Sequence, residues 1–348
     1  MNTNQVSPVL SDRDRYRGCL LGLACGDAVG TTVEFKPRDS FARVTDMTGG
    51  GPFGLEAGQW TDDTSMALCL AASLLDCQGF DATDQMDRYV RWRNCGYMSS
   101  TGRCFDIGGT VSSALSRYLN TSDPFAGSTD PRTAGNGALM RLAPVPMYFC
   151  KDEGRVLAYS AESTRVTHGA QEAIDCSRLF ALQLRLALLG CSKDEICAVR
   201  PVESMSSKAE AIAAGSYKSK TRDHIFGSGY CIESLEAALW CFWHTGSYEH
   251  AVLEAVNLGE DADTTAAICG QLAGAHYGVQ ALPTHWVSRL AMREKLEQMA
   301  DDLLDARVGT PLVTNHAMSE ESTAGPNAKT NGNVWNCSRV ISAFFLPR

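Results

Sequence analysis

The stretch Asn257-Leu258-Gly259-Glu260-Asp261-Ala262-Asp263-Thr264-Thr265 gathers three hard oxygen donors, Asp261, Asp263 and Thr264, into four residues at the start of an apolar helix. On a continuous helix Asp261 and Asp263 point about 200° apart, so both face one point only if Gly259 lets the chain curl first. A curl of that kind shapes an ion site. The same acids also fit an N-cap and a favourable first-turn charge, and this stretch alone leaves both readings open. A second acidic turn, Trp60-Thr61-Asp62-Asp63-Thr64, opens another apolar helix, Ser65 to Leu75. If the two turns meet, four carboxylates repel one another in a partly dry cleft unless cations lie between them. With carboxylate and hydroxyl oxygens on offer, and no His or Cys at ligand spacing, the ions are hard: Mg²⁺ or Mn²⁺.

The elements that must carry these turns are helical almost throughout. Tyr16, Cys19, Leu20, Leu23 and Ala24 follow a 3.6-residue period, so Arg13 to Ala28 reads as a helix with one buried stripe that stops at Gly30. Helical patterns recur near Asp84 to Arg93, Thr110 to Leu119, Ala138 to Phe149, Gln171 to Leu189, Ile232 to Trp243, Tyr248 to Val256, Thr264 to Tyr277, His285 to Arg293 and Lys295 to Ala306. Strand-like alternation is nearly absent. The polar, glycine-punctuated run Ser204 to Gly229 reads as an excursion over the surface. No fixed-period repeat or linker divides the chain, which predicts one all-α domain from Asp12 to Ala306. Residues 1–11 read as a flexible N-terminal extension. Residues 307–348 read as a flexible tail rich in Thr, Asn, Ser and Gly, with an apolar patch from Val340 to Leu346.

Composition narrows the partners. The chain has 348 residues, 44% of them hydrophobic, enough for a sizeable core. A formal net charge of -9 argues against nucleic acid or an anionic membrane as the main partner. The 14 cysteines are scattered with no CxxC pair, and Cys19, Cys69, Cys176 and Cys241 fall on apolar faces. They read as small core residues in a reducing compartment. Without an apolar leader or a membrane-length run, a soluble cytoplasmic protein is expected.

Several stretches together resemble the ADP-ribosylglycohydrolase family, including the dinitrogenase-reductase-activating glycohydrolases of bacteria. They are Gly26-Asp27-Ala28-Val29-Gly30 followed by Glu34-Phe35, then Trp60 to Thr64, Phe105-Asp106-Ile107-Gly108, and Gly135-Asn136-Gly137-Ala138-Leu139-Met140-Arg141. Thr167-His168, Ser228-Gly229-Tyr230, Asn257 to Thr264 and Gly270 to Gly278 complete the set. The resemblance covers roughly residues 13 to 306, and the number and order of the motifs make it specific.

The resemblance implies an orthogonal, multi-helix all-α fold. It further implies a centre of two Mg²⁺ or Mn²⁺ ions in a cleft, hydrolysing the bond between ADP-ribose and a modified side chain. By position, Thr61, Asp62 and Asp63 match the first metal-ligand turn, and Asp261, Asp263 and Thr264 the second. Glu34 matches an acid on a mobile loop, and Asp106 a residue at the distal ribose or leaving group. Glu34, Asp62 and Asp106 are thus the candidate catalytic residues. His168 lies, by resemblance, near the adenosine end.

Physical chemistry suits these assignments. Cleaving a glycosidic bond to ribose builds positive charge at the anomeric carbon, which carboxylates stabilise, and two cations can position ribose hydroxyls and acidify water. Gly108-Gly109-Thr110 and Gly135-Asn136-Gly137 both precede helical patterns, whose free N–H groups suit phosphate. Plainer roles compete: tight turns for the glycines, an exposed loop acid for Glu34, a cap for Asp106, a structural imidazole for His168. Asp27 reads as a buried hydrogen-bond organiser rather than a ligand. Three functions follow. The chain removes ADP-ribose from arginine of proteins. Alternatively, the same fold acts on ADP-ribosyl-serine or another conjugate. In a third reading it sequesters a partner such as an ADP-ribosylating toxin.

Overall fold

A reciprocal cap sets the first helix: the Ser11 hydroxyl accepts from the Asp14 N–H and the Asp14 carboxylate accepts from the Ser11 N–H, both at 3.1 Å. The computed structural model describes residues 10–199 and 205–307. Within them the helices run α1 Asp12–Gly30, α2 Asp62–Asp76, α3 Ala82–Cys95, α4 Gly109–Thr121, α5 Pro144–Tyr148, α6 Glu153–Arg165 and α7 Gln171–Leu188. They continue with α8 Lys193–Ile196, α9 Ser207–Ala213, α10 Cys231–His244, α11 Tyr248–Val256, α12 Ala262–Tyr277, α13 Thr284–Arg289 and α14 Arg293–Ala306. Among the described residues there is no strand, only isolated bridges at Gly50–Leu55, Ser128–His168 and Gly135–Tyr230. The all-α expectation holds.

The centre is the antiparallel pair of α1 and α12. Every residue from Gly18 to Gly30 and from Ala262 to Ala275 is buried. Glycines at four-residue intervals make this possible: a Cβ added at Gly18, Gly22, Gly26 or Gly30 would stand 2.2, 2.4, 2.2 or 2.4 Å from backbone atoms of Gly274, Gly270, Ala266 or Asp263. The two backbones therefore touch along a shared ridge, the closest packing two helices can adopt. Around them pack α7, α10, α11 and α14. The single buried stripe expected for α1 is thus corrected. Its C-terminal half is buried on every side, because its small residues form a contact face as well as its large ones.

Other departures have local causes. Residues 137–141 are turns and the helix there is only Pro144–Tyr148, since Pro144 has no N–H to continue a hydrogen-bond ladder from the preceding turns. The helix Glu153–Arg165 was missed because its buried face holds Ser160, Ser163 and Thr164 where an apolar stripe would be sought. Its signal was the cap at Asp152, which accepts from Arg155 N–H at 3.0 Å. The run expected as a surface excursion is, over its described residues 205–229, no mere excursion: it contains α9, buries Ala209, Ile212, Tyr217 and Ile225, and ends in the cleft that holds the acids. The helix expected from His285 to Arg293 ends at Arg289, because Leu290 leaves the helical region with ψ 128°, and α14 starts after Met292, whose φ is 49°. The expected extension and tail lie outside the described residues, apart from Leu10, Ser11 and Arg307, and the apolar patch from Val340 lies wholly outside. No helix among the described residues is long and apolar enough to cross a membrane.

A methyl group on the central ridge should therefore be costly. Gly22→Ala is expected to lower stability by about 1–3 kcal/mol, the range for overpacking a rigid core. Gly246→Ala, where an added Cβ meets nothing within 4 Å, should stay within about 0.5 kcal/mol of the parent. Urea unfolding of both variants measures the difference, and equal midpoints would mean that α1 and α12 part without penalty.

Candidate active site

The ridge between α1 and α12 brings Asp27, near the end of α1, beside the start of α12, and the start of α2 docks onto both. Asp27 organises the junction. Its Oδ1 accepts from the Thr61 N–H and hydroxyl, each at 2.9 Å, and its Oδ2 from the Thr64 N–H at 3.0 Å and hydroxyl at 2.6 Å. One carboxylate of α1 thereby caps the first turn of α2, and the Thr61 side chain makes no cap bond of its own. The freed Thr61 Oγ1 also lies 3.1 Å from Asp63 Oδ2 and 3.3 Å from Asp263 Oδ2, while Thr264 Oγ1 lies 3.4 Å from Asp63 Oδ2. The two acidic turns meet.

Asp261 stands at the N-cap position of α12 but makes no cap bond. Its Oδ2 accepts from Asn136 Nδ2 at 2.7 Å, and its N–H donates to Gly227 O at 2.9 Å. The expected curl is present: Gly259 has φ 70°, and a Cβ there would press on Lys36 O at 2.6 Å. That contact joins the Glu34 loop to the Asp261 loop. Phe35 N–H donates to Glu260 O at 2.7 Å and Glu260 N–H donates to Lys36 O at 2.8 Å. Arg38 adds bonds to the carbonyls of Leu258, Arg222 and Ile225. Glu34 is only 3% exposed, so it is no solvated loop acid. Phe35, Asp106 and Glu260 all have φ near 60° without being glycine, and all three line one cleft. Strained backbone of this kind is held in place by its surroundings.

Seven carboxylates crowd this end of the cleft: Asp27, Glu34, Asp62, Asp63, Asp106, Asp261 and Asp263. Burial, reinforced by neighbouring acids, pushes Glu34 up to about 9 and Asp106 up to about 7. Asp62, Asp63 and Asp263 are raised well above the carboxylate range for the same reasons. Asp27 and Asp261 are raised mainly by burial, against the hydrogen bonds they accept. Oxygens of Asp27, Asp63 and Asp263 lie within 4.8 Å of one another, as do those of Glu34, Asp106 and Asp263. Asp63 Oδ1 and Glu34 Oε2 are buried without a hydrogen-bond partner. The single proton of the Thr61 hydroxyl serves only one of the three carboxylate oxygens around it. A divalent cation resolves all three conflicts, and an all-oxygen donor set fits Mg²⁺ or Mn²⁺.

Beyond the acids the cleft continues, with a volume of about 560 Å³. It is lined by Gly108, Gly109, Gly135, Asn136, Gly137 and His168, as expected, and also by Thr110, Ser228 and Gly229. Gly108 is the N-cap of α4 and has no side chain to serve the first-turn N–H groups, which leaves them to a ligand. A Cβ on Gly108 or Gly109 would meet nothing within 4 Å. The second glycine turn differs from expectation. No helix follows it directly, and the N–H groups of Gly135 and Asn136 donate to Thr133 O and Gly229 O. Its service is to orient Asp261 through Asn136 and to make room for His168. The N-cap reading of Asp106 is also set aside, because the cap is Gly108 and Asp106 faces Glu34 and Asp263. The motif Ser228-Gly229-Tyr230 carries the family resemblance without supplying a candidate site residue, and the structure places Ser228 and Gly229 in the cleft wall.

The family model for ADP-ribosylglycohydrolases matches residues 8–311. The chain belongs to the ADP-ribosylglycohydrolase family. It is a glycohydrolase enzyme, 47% identical over 292 residues to ADP-ribosylarginine hydrolase Tri1 of Pseudomonas putida (strain GB-1), covering 84% of this chain and 78% of that one. It is 30% identical to the ADP-ribosyl-[dinitrogen reductase] glycohydrolase of Rhodospirillum rubrum, covering 84% and 97%. The solved structure of an ADP-ribosylglycohydrolase-related protein complex superposes with a TM-score of 0.76 at 42% identity, covering 85% of this chain and 99% of that one.

Acids raised by folding make stability depend on pH in a defined direction. Between the ordinary carboxylate range and the raised value the folded state holds the extra proton, so stability falls as pH rises. In chelator, unfolding free energy should therefore decline from about pH 5 through the values of about 7 for Asp106 and about 9 for Glu34. Excess Mg²⁺ should flatten the decline, because a cation takes the place of the protons. Mg²⁺ or Mn²⁺ should also raise the melting temperature of the parent and leave that of Asp263→Ala unmoved. Identical pH profiles with and without Mg²⁺ would exclude a cation from the cluster.

Proposed function

We propose that the enzyme hydrolyses the N-glycosidic bond between ADP-ribose and an arginine side chain of a modified protein. Thr61, Asp62, Asp63, Asp261, Asp263 and Thr264 would hold two Mg²⁺ or Mn²⁺ ions. The observation that carries this reading is the polarity of one cleft. Glu34, Asp62, Asp106 and Asp261 line one end, with Asp27, Asp63 and Asp263 buried among them, and the open start of α4 and His168 stand along the rest. A positively charged guanidinium group suits the first end and a diphosphate the second. The name of the Pseudomonas putida relative supports arginine as the acceptor.

Each residue then has a task. The ions, when bound, supply Lewis acidity toward the ribose hydroxyls and the attacking water. Asp106 accepts charge-assisted hydrogen bonds from the guanidinium and aligns the leaving group. Asp62, buried at the cleft wall, stabilises the positive charge that develops at the anomeric carbon. Glu34, which holds a proton in the cation-free cluster and would lose it to bound cations, then takes a proton from water as the water oxygen bonds to that carbon. The carbon–nitrogen bond breaks, and the departing guanidine receives the proton from Glu34. Asp27 stays in its four hydrogen bonds and keeps Thr61 in place.

Incubation with arginine-ADP-ribosylated and serine-ADP-ribosylated proteins in Mg²⁺ or Mn²⁺, with released ADP-ribose followed in time, tests the reading. Release is expected from the arginine substrate and is abolished by chelator. Asp106→Ala should lose about 10²-fold or more in kcat while keeping its metal-induced thermal shift. Release from serine alone would overturn the acceptor, and release from neither, in a sample that binds metal, would overturn the activity.

A further inference from the structure

Behind the cleft lies a buried cation that forms no ion pair among the described residues, the Asp62 carboxylate acting on it only from a distance. Arg141 is 1% exposed and its contacts are neutral: Nη1 donates to Gly137 O at 2.7 Å, and Nη2 to Thr167 Oγ1 at 2.7 Å and to Ser163 O at 3.3 Å. The face of its guanidinium lies 4.9 Å from the Tyr89 ring centroid. A guanidinium can only donate, so Thr167 Oγ1 must accept from it. That hydroxyl has one hydrogen left, and its remaining contact is His168 Nδ1 at 2.8 Å. The hydroxyl oxygen has a second lone pair, yet only donation to Nδ1 gives its hydrogen a partner, so the direction that satisfies every group runs Arg141 to Thr167, Thr167 to His168. An Nδ1 that accepts carries no hydrogen, so the ring hydrogen is on Nε2.

Nε2 is the atom that faces the glycine turn in the cleft wall. A Cβ added at Gly135 would lie 3.3 Å from it, and one at Gly137 would lie 2.9 Å from Cε1 and 3.3 Å from Nε2. The ring fills the space these two glycines leave, and His168 lines the cleft. A doubly protonated ring would put a second donor against Thr167 Oγ1 and a second cation near Arg141. Burial and Arg141 indeed push the pKa of His168 down to about 3.

We propose that Arg141 and Thr167 are positioning residues that hold His168 in its Nε2–H form, so that the cleft wall offers a directed neutral donor to an oxygen acceptor such as a diphosphate. Arg141 also grips Gly137 O, so one buried side chain sets both the glycine turn and the imidazole behind it. A ligand presenting a donor at this point meets a donor in return and is disfavoured. The inference rests on the reading of this cleft as an ADP-ribose site, and it identifies the residues that set hydrogen-bond polarity at one position in it.

The tautomer is directly observable. In the full chain labelled with ¹⁵N-histidine, and with His168 assigned by comparison with His168→Gln, the ring should show a protonated Nε2 and an unprotonated Nδ1 from about pH 5.5 to about pH 8. Thr167→Val keeps the volume and removes the donor. It should lose the single tautomer and weaken binding of free ADP-ribose about tenfold, the equivalent of one lost hydrogen bond. Thr167→Ser should restore both. A parent ring protonated on Nδ1, or a Thr167→Val protein that binds ADP-ribose within about twofold of the parent, overturns the proposal. If Thr167→Val does not fold, the parent spectrum and Thr167→Ser decide. Neither readout needs turnover, so failure to cleave ADP-ribosylarginine is a separate result from failure of this relay.

Discussion

Backbone contact between α1 and α12 is the constraint on which the rest depends. Were side chains interposed between the helices, Asp27 and the start of α12 would separate by more than a hydrogen bond tolerates, and Thr61 would lose its place between Asp63 and Asp263. Glycines at Gly18, Gly22, Gly26 and Gly30 contribute nothing to hydrophobic burial and raise the entropic cost of making a helix. What they provide is distance. The surrounding helices supply the apolar burial that allows two small-residue helices to remain at the centre.

The acidic end works against the fold. Five buried carboxylates and the half-buried Asp106 and Asp261 destabilise one another, and the positive φ values at Phe35, Asp106 and Glu260 add local strain. The fold compensates with neutral donors: four hydrogen bonds to Asp27, an amide to Asp261, and main-chain bonds tying the Glu34 loop to the Asp261 loop. None of these removes the charge. They fix its location, which is the condition for capturing a cation from water with little reorganisation.

Much of this was legible in residue types and spacing. Two turns of acids and hydroxyls before apolar helices announced a cluster of hard oxygen donors, and Gly259 announced the curl that the structure contains. Asp27 read correctly as an organiser. The differences arise where the sequence lacks a periodic apolar signal: Ser160, Ser163 and Thr164 line the buried face of a helix, and half-buried Ser228 and exposed Gly229 line the cleft within a polar run. Gly135-Asn136-Gly137 precedes a helical pattern in the sequence, but the helix starts only at Pro144, which has no N–H to extend it backwards. The service of Asn136 to Asp261, 125 residues away, could not be read from spacing at all, since it depends on how distant loops meet.

The contact between Thr61 and Asp263 joins residues 202 positions apart, and this has a bearing on how the protein is made. At roughly 5–20 residues per second, a ribosome takes about 10–40 s to synthesise the intervening chain. Throughout that interval the nascent polypeptide carries one acidic half of the cleft with no second half to face. Asp62 and Asp63 remain hydrated, titrate as ordinary surface acids and offer a cation only an open, weak hold. The glycine face of α1 likewise waits for α12, its partner from the far end of the chain. Assembly of the core and assembly of the chemistry are therefore one late event, and a chain that stalls before residue 262 has neither.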